Sequence, residues 1–170
     1  MQKILDKRYK STLALLQKHI PAPATLLDLG IDNPLSAYLR DQGYTVINTG
    51  GEDLDLVFAS VKRSDVDAVT AFEILEHLVA PFNVLNAIDA KMLVATVPMR
   101  LWYARAYWND NDPWDRHFHE FEDRQFDMLL EKARWKLVER QKWISPSYKL
   151  GFRTILRNIT PRYYAVVAKR

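Results

Sequence analysis

The chain has 170 residues, 48% of them hydrophobic and 26% charged, enough for one folded domain with a sizeable core and too apolar for a disordered chain. It contains no cysteine, which excludes disulfides, thiolate nucleophiles and thiolate metal ligands, so a bound metal would take oxygen and nitrogen donors. A formal charge of +3, from 24 basic and 21 acidic residues, permits an anionic partner without calling for nucleic acid.

The charged start MQKILDKRYK is unlike a signal peptide, and no apolar run approaches the roughly 18 residues of a membrane span. The expectation is a soluble, cytoplasmic protein. Ile4, Leu5, Leu13, Leu15, Leu16 and Ile20, spaced among Lys and Gln, predict an amphipathic helix over 1–20, closed by Pro21 and Pro23. TLLDLG (25–30) is a short apolar run ending at glycine, as in a buried strand that enters a turn. Asn33 before Pro34 is a helix start, because the Asn oxygen caps free N–H groups and proline loses nothing at the first helical position. Residues 34–42 then form a helix stopped by Gly43. YTVIN (44–48), DAVTAF (67–72) and MLVATVP (92–98) read as strands, and LVFA (56–59) is a further short candidate. A helix is predicted over 122–132, after which WKLVERQKW and YYAVVAKR read as two late strands. Strands alternating with helices, with two strands last, predict one α/β domain over 1–170, three layers deep with a mostly parallel sheet.

The segment AFEILEHL (71–78) places Glu73, Glu76 and His77 directly after an apolar strand. If it is helical from Glu73 on, Glu76 and His77 share a face with Glu73. Polar groups at the carboxyl end of a strand sit where open α/β sheets bind ligands.

TLLDLGIDNP, GYTVINTG, VDAVTAFEILEHLVAPFNVL, MLVATVP and HFHEFEDRQFDMLLEKARWKLVE resemble, in that order, the blocks of class I S-adenosylmethionine-dependent methyltransferases. The resemblance runs from about Leu26 onward and looks nearest to small-molecule O-methyltransferases of the ubiquinone pathway, whose corresponding segment also reads E-x-x-E-H. It implies a Rossmann-like, seven-stranded sheet and S-adenosyl-L-methionine as cofactor. In the family's D-x-G-x-G-x-G turn, Asp28 and Gly30 match, whereas Asp32 and Pro34 stand at the second and third glycine positions. Either the Asp32 side chain points to solvent or the pocket has changed. By the capping logic, Asp32, Asn33 and Pro34 also read simply as a well-capped turn. The family's ribose-binding acid falls near Gly50, with Glu52 or Asp53 as substitutes from the next loop. Phe72 and Glu73 take the positions that border the adenine and the methyl-transfer centre.

The resemblance also implies a metal set of Glu73, Glu76, His77 and His119, suited to Mg²⁺ or Mn²⁺, with Zn²⁺ as a further fit. In that reading the cation holds substrate oxygens and lowers the pKa of the accepting hydroxyl. Two alternatives stand beside it. His77 or His119 acts as general base without metal, or the Glu–His pair caps a helix while His119 packs under a lid.

Residues 99–121 form a long aromatic lid segment with Trp102, Tyr103, Tyr107, Trp108 and Trp114 among Arg100, Arg105 and Arg116. Long loops of this kind are often functional, and an aromatic cover suits a flat or apolar acceptor; core packing or a dimer interface is the alternative. Residues 145–162 form a basic insertion in which Lys149, Arg153, Arg157 and Arg162 recur every four or five positions, fitted to a membrane surface, a polyphosphate or RNA, or to water alone. The expected function is methyl transfer to an oxygen or nitrogen of a small-molecule or lipid-linked acceptor. A non-catalytic binding module on the same fold and an RNA ribose 2′-O-methyltransferase are the alternatives, the latter opposed by the modest charge.

Overall fold

The computed structural model describes residues 2–145, 156 and 158–170. In chain order the elements are helix α1 (Gln2–His19), strand β1 (Thr25–Asp28), helix α2 (Pro34–Asp41), strands β2 (Thr45–Asn48) and β3 (Ala68–Phe72), helix α3 (Pro81–Ala87), strand β4 (Met92–Pro98), helix α4 (Asp123–Lys132), and strands β5 (Lys136–Trp143) and β6 (Tyr163–Lys169).

The apolar runs of β1, β3, β4 and β6 are continuous because helices cover both faces of the sheet. Leu26, Ala68, Val94, Ala165 and Val167 face one layer, where Leu13, Leu15 and Leu16 of α1 and Leu35 and Leu39 of α2 pack. Their neighbours Leu27, Val69, Leu93, Ala95, Val166 and Ala168 face the other layer, with Val84 and Leu85 of α3 and Phe126 and Leu130 of α4. Period-two alternation thus splits each strand between two cores. Helix starts follow the sequence signals. Asn33 Oδ1 accepts Leu35 N and Ser36 N at 2.9 and 3.1 Å, and Glu122 with Gln125 closes a capping box on α4.

The sheet order is β2-β1-β3-β4-β6-β5. The first four strands are mutually parallel, and β6 runs antiparallel to both β4 and β5. From β1 the chain goes to β2 on one side and then to β3 on the other. That makes β1 the switch point, with the loops after β1, β2, β3 and β4 all leaving at one carboxyl edge, where such sheets bind ligands.

The implied seventh strand is not formed: the described residues build six strands. The candidate at 56–59 turns back on itself instead. Leu56 N and Val57 N both donate to Asp53 O, Lys62 N donates to Ala59 O, and Leu56 is 75% exposed. Backbone committed to successive turns offers no extended edge to pair with β2. Most of the basic insertion, including Lys149, Arg153 and Arg157, lies outside the described residues; Arg162 lies within them. Among the described residues no helix is long and apolar enough to cross a membrane.

Candidate active site

The turn after β1 is built around a buried carboxylate. Asp28 is 2% exposed and accepts hydrogen bonds from Thr70 Oγ1 at 2.6 Å, Ser36 Oγ at 3.1 Å and Asn48 Nδ2 at 3.3 Å. Burial pushes its pKa up, and these donors pull against that shift. The carboxylate expected at a cofactor is therefore turned inward, where it ties β1 to β2, β3 and α2. Gly30 follows in the left-handed region at φ +105°, and a Cβ there would stand 3.1 Å from Ile74 Cδ1. Its N–H donates to Thr49 Oγ1 at 2.7 Å. Asp32 points to solvent, its side chain 64% exposed and 2.8 Å from Arg40, whose guanidinium holds the carboxyl below its usual range. The second glycine position thus carries a side chain that leaves the turn open, and the third carries the first residue of α2.

No side-chain acid ends β2. Glu52 bends back so that its Oε2 lies 3.3 Å from where a Cβ on Gly50 would be, which brings a carboxylate to the place of the missing one. Asp53 is committed to its own loop: Oδ1 accepts Asp55 N at 2.9 Å. The residue that reaches across is Asp55, which no sequence pattern singles out. Its carboxylate accepts Val79 N and Ala80 N, both at 2.8 Å, and so fixes the loop beyond His77.

At the end of β3, Phe72 packs against the α1/α2 layer. Glu73 has φ +54°, rare for a residue with a side chain, while its N–H donates to Thr96 O at 3.0 Å. The chain then makes one 3₁₀ turn, Leu75–His77, rather than the helix from Glu73 considered above, because the positive φ at Glu73 breaks the repeat. Glu73, Glu76 and His77 consequently share no helical face. Glu76 is 1% exposed, and its backbone O accepts Phe118 N at 2.8 Å and His119 N at 3.2 Å. This contact draws the far end of the lid segment onto the site.

The histidine it delivers is His117. The His77 and His117 rings meet edge to face with centroids 4.9 Å apart, and His77 Nε2 lies 3.9 Å from Glu76 Oε1. Ligand atoms of Glu76, His77 and His117 all lie within 4.8 Å of one another. His77 Nδ1 is 3.1 Å from Arg116 O, and His117 Nδ1 is 2.9 Å from Glu120 Oε1. A carbonyl only accepts, as does an ionised carboxylate, so Nδ1 of each ring carries a proton and Nε2 points toward the cluster. His119 is excluded from the cluster. Its Nε2 is 3.2 Å from Val79 O, its ring stacks on Phe121, and it lines a separate cleft of about 570 Å³ with Phe82, Phe118 and Leu129. In a fully extended H-x-H segment the two side chains would share a side, but the chain bends at Phe118, where Phe118 N and His119 N both donate to Glu76 O, and the two rings part.

Among the described residues, two buried carboxylate oxygens have no hydrogen-bond partner, Glu73 Oε1 and Glu76 Oε2. The rest of the Glu73 side chain is 22% exposed, with Oε2 3.8 Å from Arg8. Burial raises the Glu73 pKa, partly countered by the Arg8 charge. Burial pushes Glu76 well above its usual range, and the Glu73 carboxylate adds to that. Burial also lowers the His77 pKa, reinforced by His117.

The lid segment is pinned at its base, where Met99 bridges Phe121 and Arg100 N donates to Phe121 O at 2.8 Å. Trp102 and Trp114, more than 70% exposed, point to solvent, and Trp108 stacks under Arg116 at 4.6 Å. The lid ring that reaches the cluster is Tyr107, 5.1 Å from His117.

No protein-family model and no curated protein matches this sequence. Among solved structures, the chain is similar to Burkholderia thailandensis 1,6-didemethyltoxoflavin-N1-methyltransferase, solved with 1,6-didemethyltoxoflavin and S-adenosylhomocysteine, at 18% identity and a TM-score of 0.68 over 95% of this chain and 77% of that one. It is similar to a SAM-dependent methyltransferase from Archaeoglobus fulgidus at 15% identity and a TM-score of 0.59, covering 95% of this chain and 94% of that one. The cyclase SpnF also shares the architecture, at 11% identity and a TM-score of 0.56 over 95% of this chain and 81% of that one. With β1 as the switch point of a mostly parallel sheet, the chain has the Rossmann-like fold that these solved structures share.

Proposed function

We propose that the protein is an S-adenosylmethionine-dependent methyltransferase acting on an oxygen or nitrogen of a small or lipid-linked acceptor, with a divalent cation held by Glu76, His77 and His117. One observation carries this reading. The buried carboxylate of Glu76, one oxygen of which has no partner, gathers with two imidazoles at the carboxyl edge of the sheet, and each imidazole is oriented through Nδ1 by a second group. Metal-binding histidines are held in that way. One carboxylate and two imidazoles suit Mn²⁺ better than Mg²⁺, which prefers oxygen donors.

The residues also fit the cofactor. Gly30 keeps the backbone of the first turn free of a Cβ, Asp32 is drawn away by Arg40, and Glu52 stands by Gly50 as a ribose partner. When bound, S-adenosylmethionine would supply a methyl group on a sulfonium sulfur, which an acceptor lone pair would take with loss of S-adenosylhomocysteine. Glu76, His77 and His117 would hold the cation, a Lewis acid beside which an acceptor hydroxyl would lose its proton more readily. Glu73 Oε1, buried without a partner, is an open acceptor for that proton.

A second reading, a binding module without catalysis, draws on Thr49. Its hydroxyl accepts from Gly30 N and donates to Gly30 O at 3.3 Å, closing backbone groups that a ligand would otherwise meet. Calorimetric titration with S-adenosylhomocysteine separates the two readings: the enzyme binds it, and no heat at millimolar ligand sinks the enzyme. For the cation, Mn²⁺ titration followed by electron paramagnetic resonance should show binding lost in Glu76→Ala and His117→Ala and kept in His119→Ala. Unchanged affinity in the first two variants removes the metal from the proposal.

A further inference from the structure

At the carboxyl edge, on the α1 side of the sheet, two arginines gather at one tyrosine. The guanidinium carbons of Arg8 and Arg162 lie 5.4 and 6.0 Å from the centre of the Tyr163 ring, and Arg8 Nη1 is also 3.5 Å from the Tyr163 hydroxyl. Tyr163 pairs in register with Pro98 at the carboxyl end of β4. Met99 N donates to Arg162 O at 2.9 Å, which places the pair at the root of the lid.

Neither guanidinium has a closed ion pair. Elsewhere in this chain arginines reach their carboxylates at 2.8 Å, as in Arg40 with Asp32 and Arg140 with Asp127. Arg8 stands off from Glu73 at 3.8 Å. Arg162 has no carboxylate within 4.0 Å among the described residues, although its charge is felt at Glu73 and Glu120. Two guanidinium forks and a phenol hydroxyl gathered at one ring are the donors that hold a carboxylate or phosphate through paired N–H groups.

We propose that Arg8, Arg162 and Tyr163 form an anion subsite that holds a carboxylate or phosphate group of the methyl acceptor beside the Glu76 cluster. The inference rests on the methyltransferase reading above and adds a substrate class to it, an acceptor that bears an anionic group. The cofactor's own carboxylate has the same chemistry, but the sheet order argues for the acceptor. Between β1, whose turn contains Gly30, and β6 lie β3 and β4, so Tyr163 is three strand spacings, roughly 14 Å, from the first strand. The lid root is on the acceptor's side.

The test is an NMR titration of the full chain with inorganic phosphate, run with and without saturating S-adenosylhomocysteine and read at the Tyr163 ring and the arginine Nε resonances. Phosphate should shift these signals in both states. Arg162→Ala should weaken phosphate about tenfold or more while S-adenosylhomocysteine affinity stays unchanged. Arg8→Gln, on the partly exposed face of α1, should weaken phosphate in the same direction and serves as the decisive variant if Arg162→Ala does not fold. Phosphate affinity equal to wild type in the folded variants overturns the subsite. Weakened S-adenosylhomocysteine with unchanged phosphate assigns the guanidinium to the cofactor and overturns it too. Failure of S-adenosylhomocysteine to bind at all removes the methyltransferase reading, whereas the phosphate titration alone still decides whether the anion site exists.

Discussion

Asp28 and His117 show what a side chain's surroundings add to its identity. The D-x-G block singles out Asp28 correctly as a special position, yet three donors from three other elements enclose it, and no local pattern reveals partners at positions 36, 48 and 70. Its work is to join strands. We expect Asp28→Ala to cost about 3 kcal/mol, because Thr70 Oγ1, Ser36 Oγ and Asn48 Nδ2 would lose a buried acceptor. Urea unfolding measures this, and a loss below about 1 kcal/mol would show that the donors find other partners. For the histidines, RHFHEF narrows the choice to two residues, and the bend at Phe118 separates them. Which one faces Glu76 depends on the hydrogen bonds from Phe118 N and His119 N to Glu76 O, a contact across some forty residues that spacing cannot show.

Among the elements, those with a strong local cause were readable. β1, β3, β4 and β6 are apolar runs that two-sided burial explains, and α2 and α4 start at capping groups visible in the sequence. The failures have equally local causes. LVFA has a strand's composition, but Asp53 gathers two backbone N–H groups and turns the chain. The EILEH segment has helix formers, but Glu73 enters at φ +54°. At the Gly30 turn we expect Gly30→Ala to cost about 1–2 kcal/mol for the left-handed backbone, with further loss from the 3.1 Å approach to Ile74 Cδ1; thermal unfolding with S-adenosylhomocysteine present and absent reads both stability and binding. Helix α1 is anchored to β5 by Glu139, which Lys18 approaches to 2.7 Å and His19 also contacts. The Lys18 hydrogen bond first, then those from Gln141 and His19, lower the Glu139 pKa from 4.5 to about 2. A depressed carboxyl pKa gives stability that is complete above the unfolded value and lost as pH falls toward the folded one. The melting-temperature difference between wild type and Glu139→Gln should therefore be constant above about pH 5 and shrink to nothing near pH 2. A difference that does not change with pH would mean that the anchor owes nothing to charge.

At the scale of the whole molecule, the order of the blocks pointed to the fold, and solved structures share it at identities below 20%. What survives at that identity is the burial pattern, since two-sided apolar strands and capped helices can be rebuilt from many sequences. The polar site is more particular, and that is why the sequence did not show which side chains gather at Glu76. Whether the molecule is an enzyme turns on whether its carboxyl edge still accepts a cofactor past the Thr49–Gly30 contact, a property of all four loops together. Binding to the folded state alone raises stability by about 2.7 kcal/mol at a ligand concentration a hundredfold above Kd. For a domain of this size that corresponds to a rise in melting temperature of roughly 5–10 °C. Scanning calorimetry with S-adenosylhomocysteine should show this rise in wild type. If Thr49 closes the turn against the ligand, Thr49→Ala should bind more tightly than wild type, because the Gly30 N–H is then free to meet it. A rise of the same size in both proteins would show that Gly30 N takes no part in binding, and no rise in either would leave the fold as a scaffold for something other than methyl transfer.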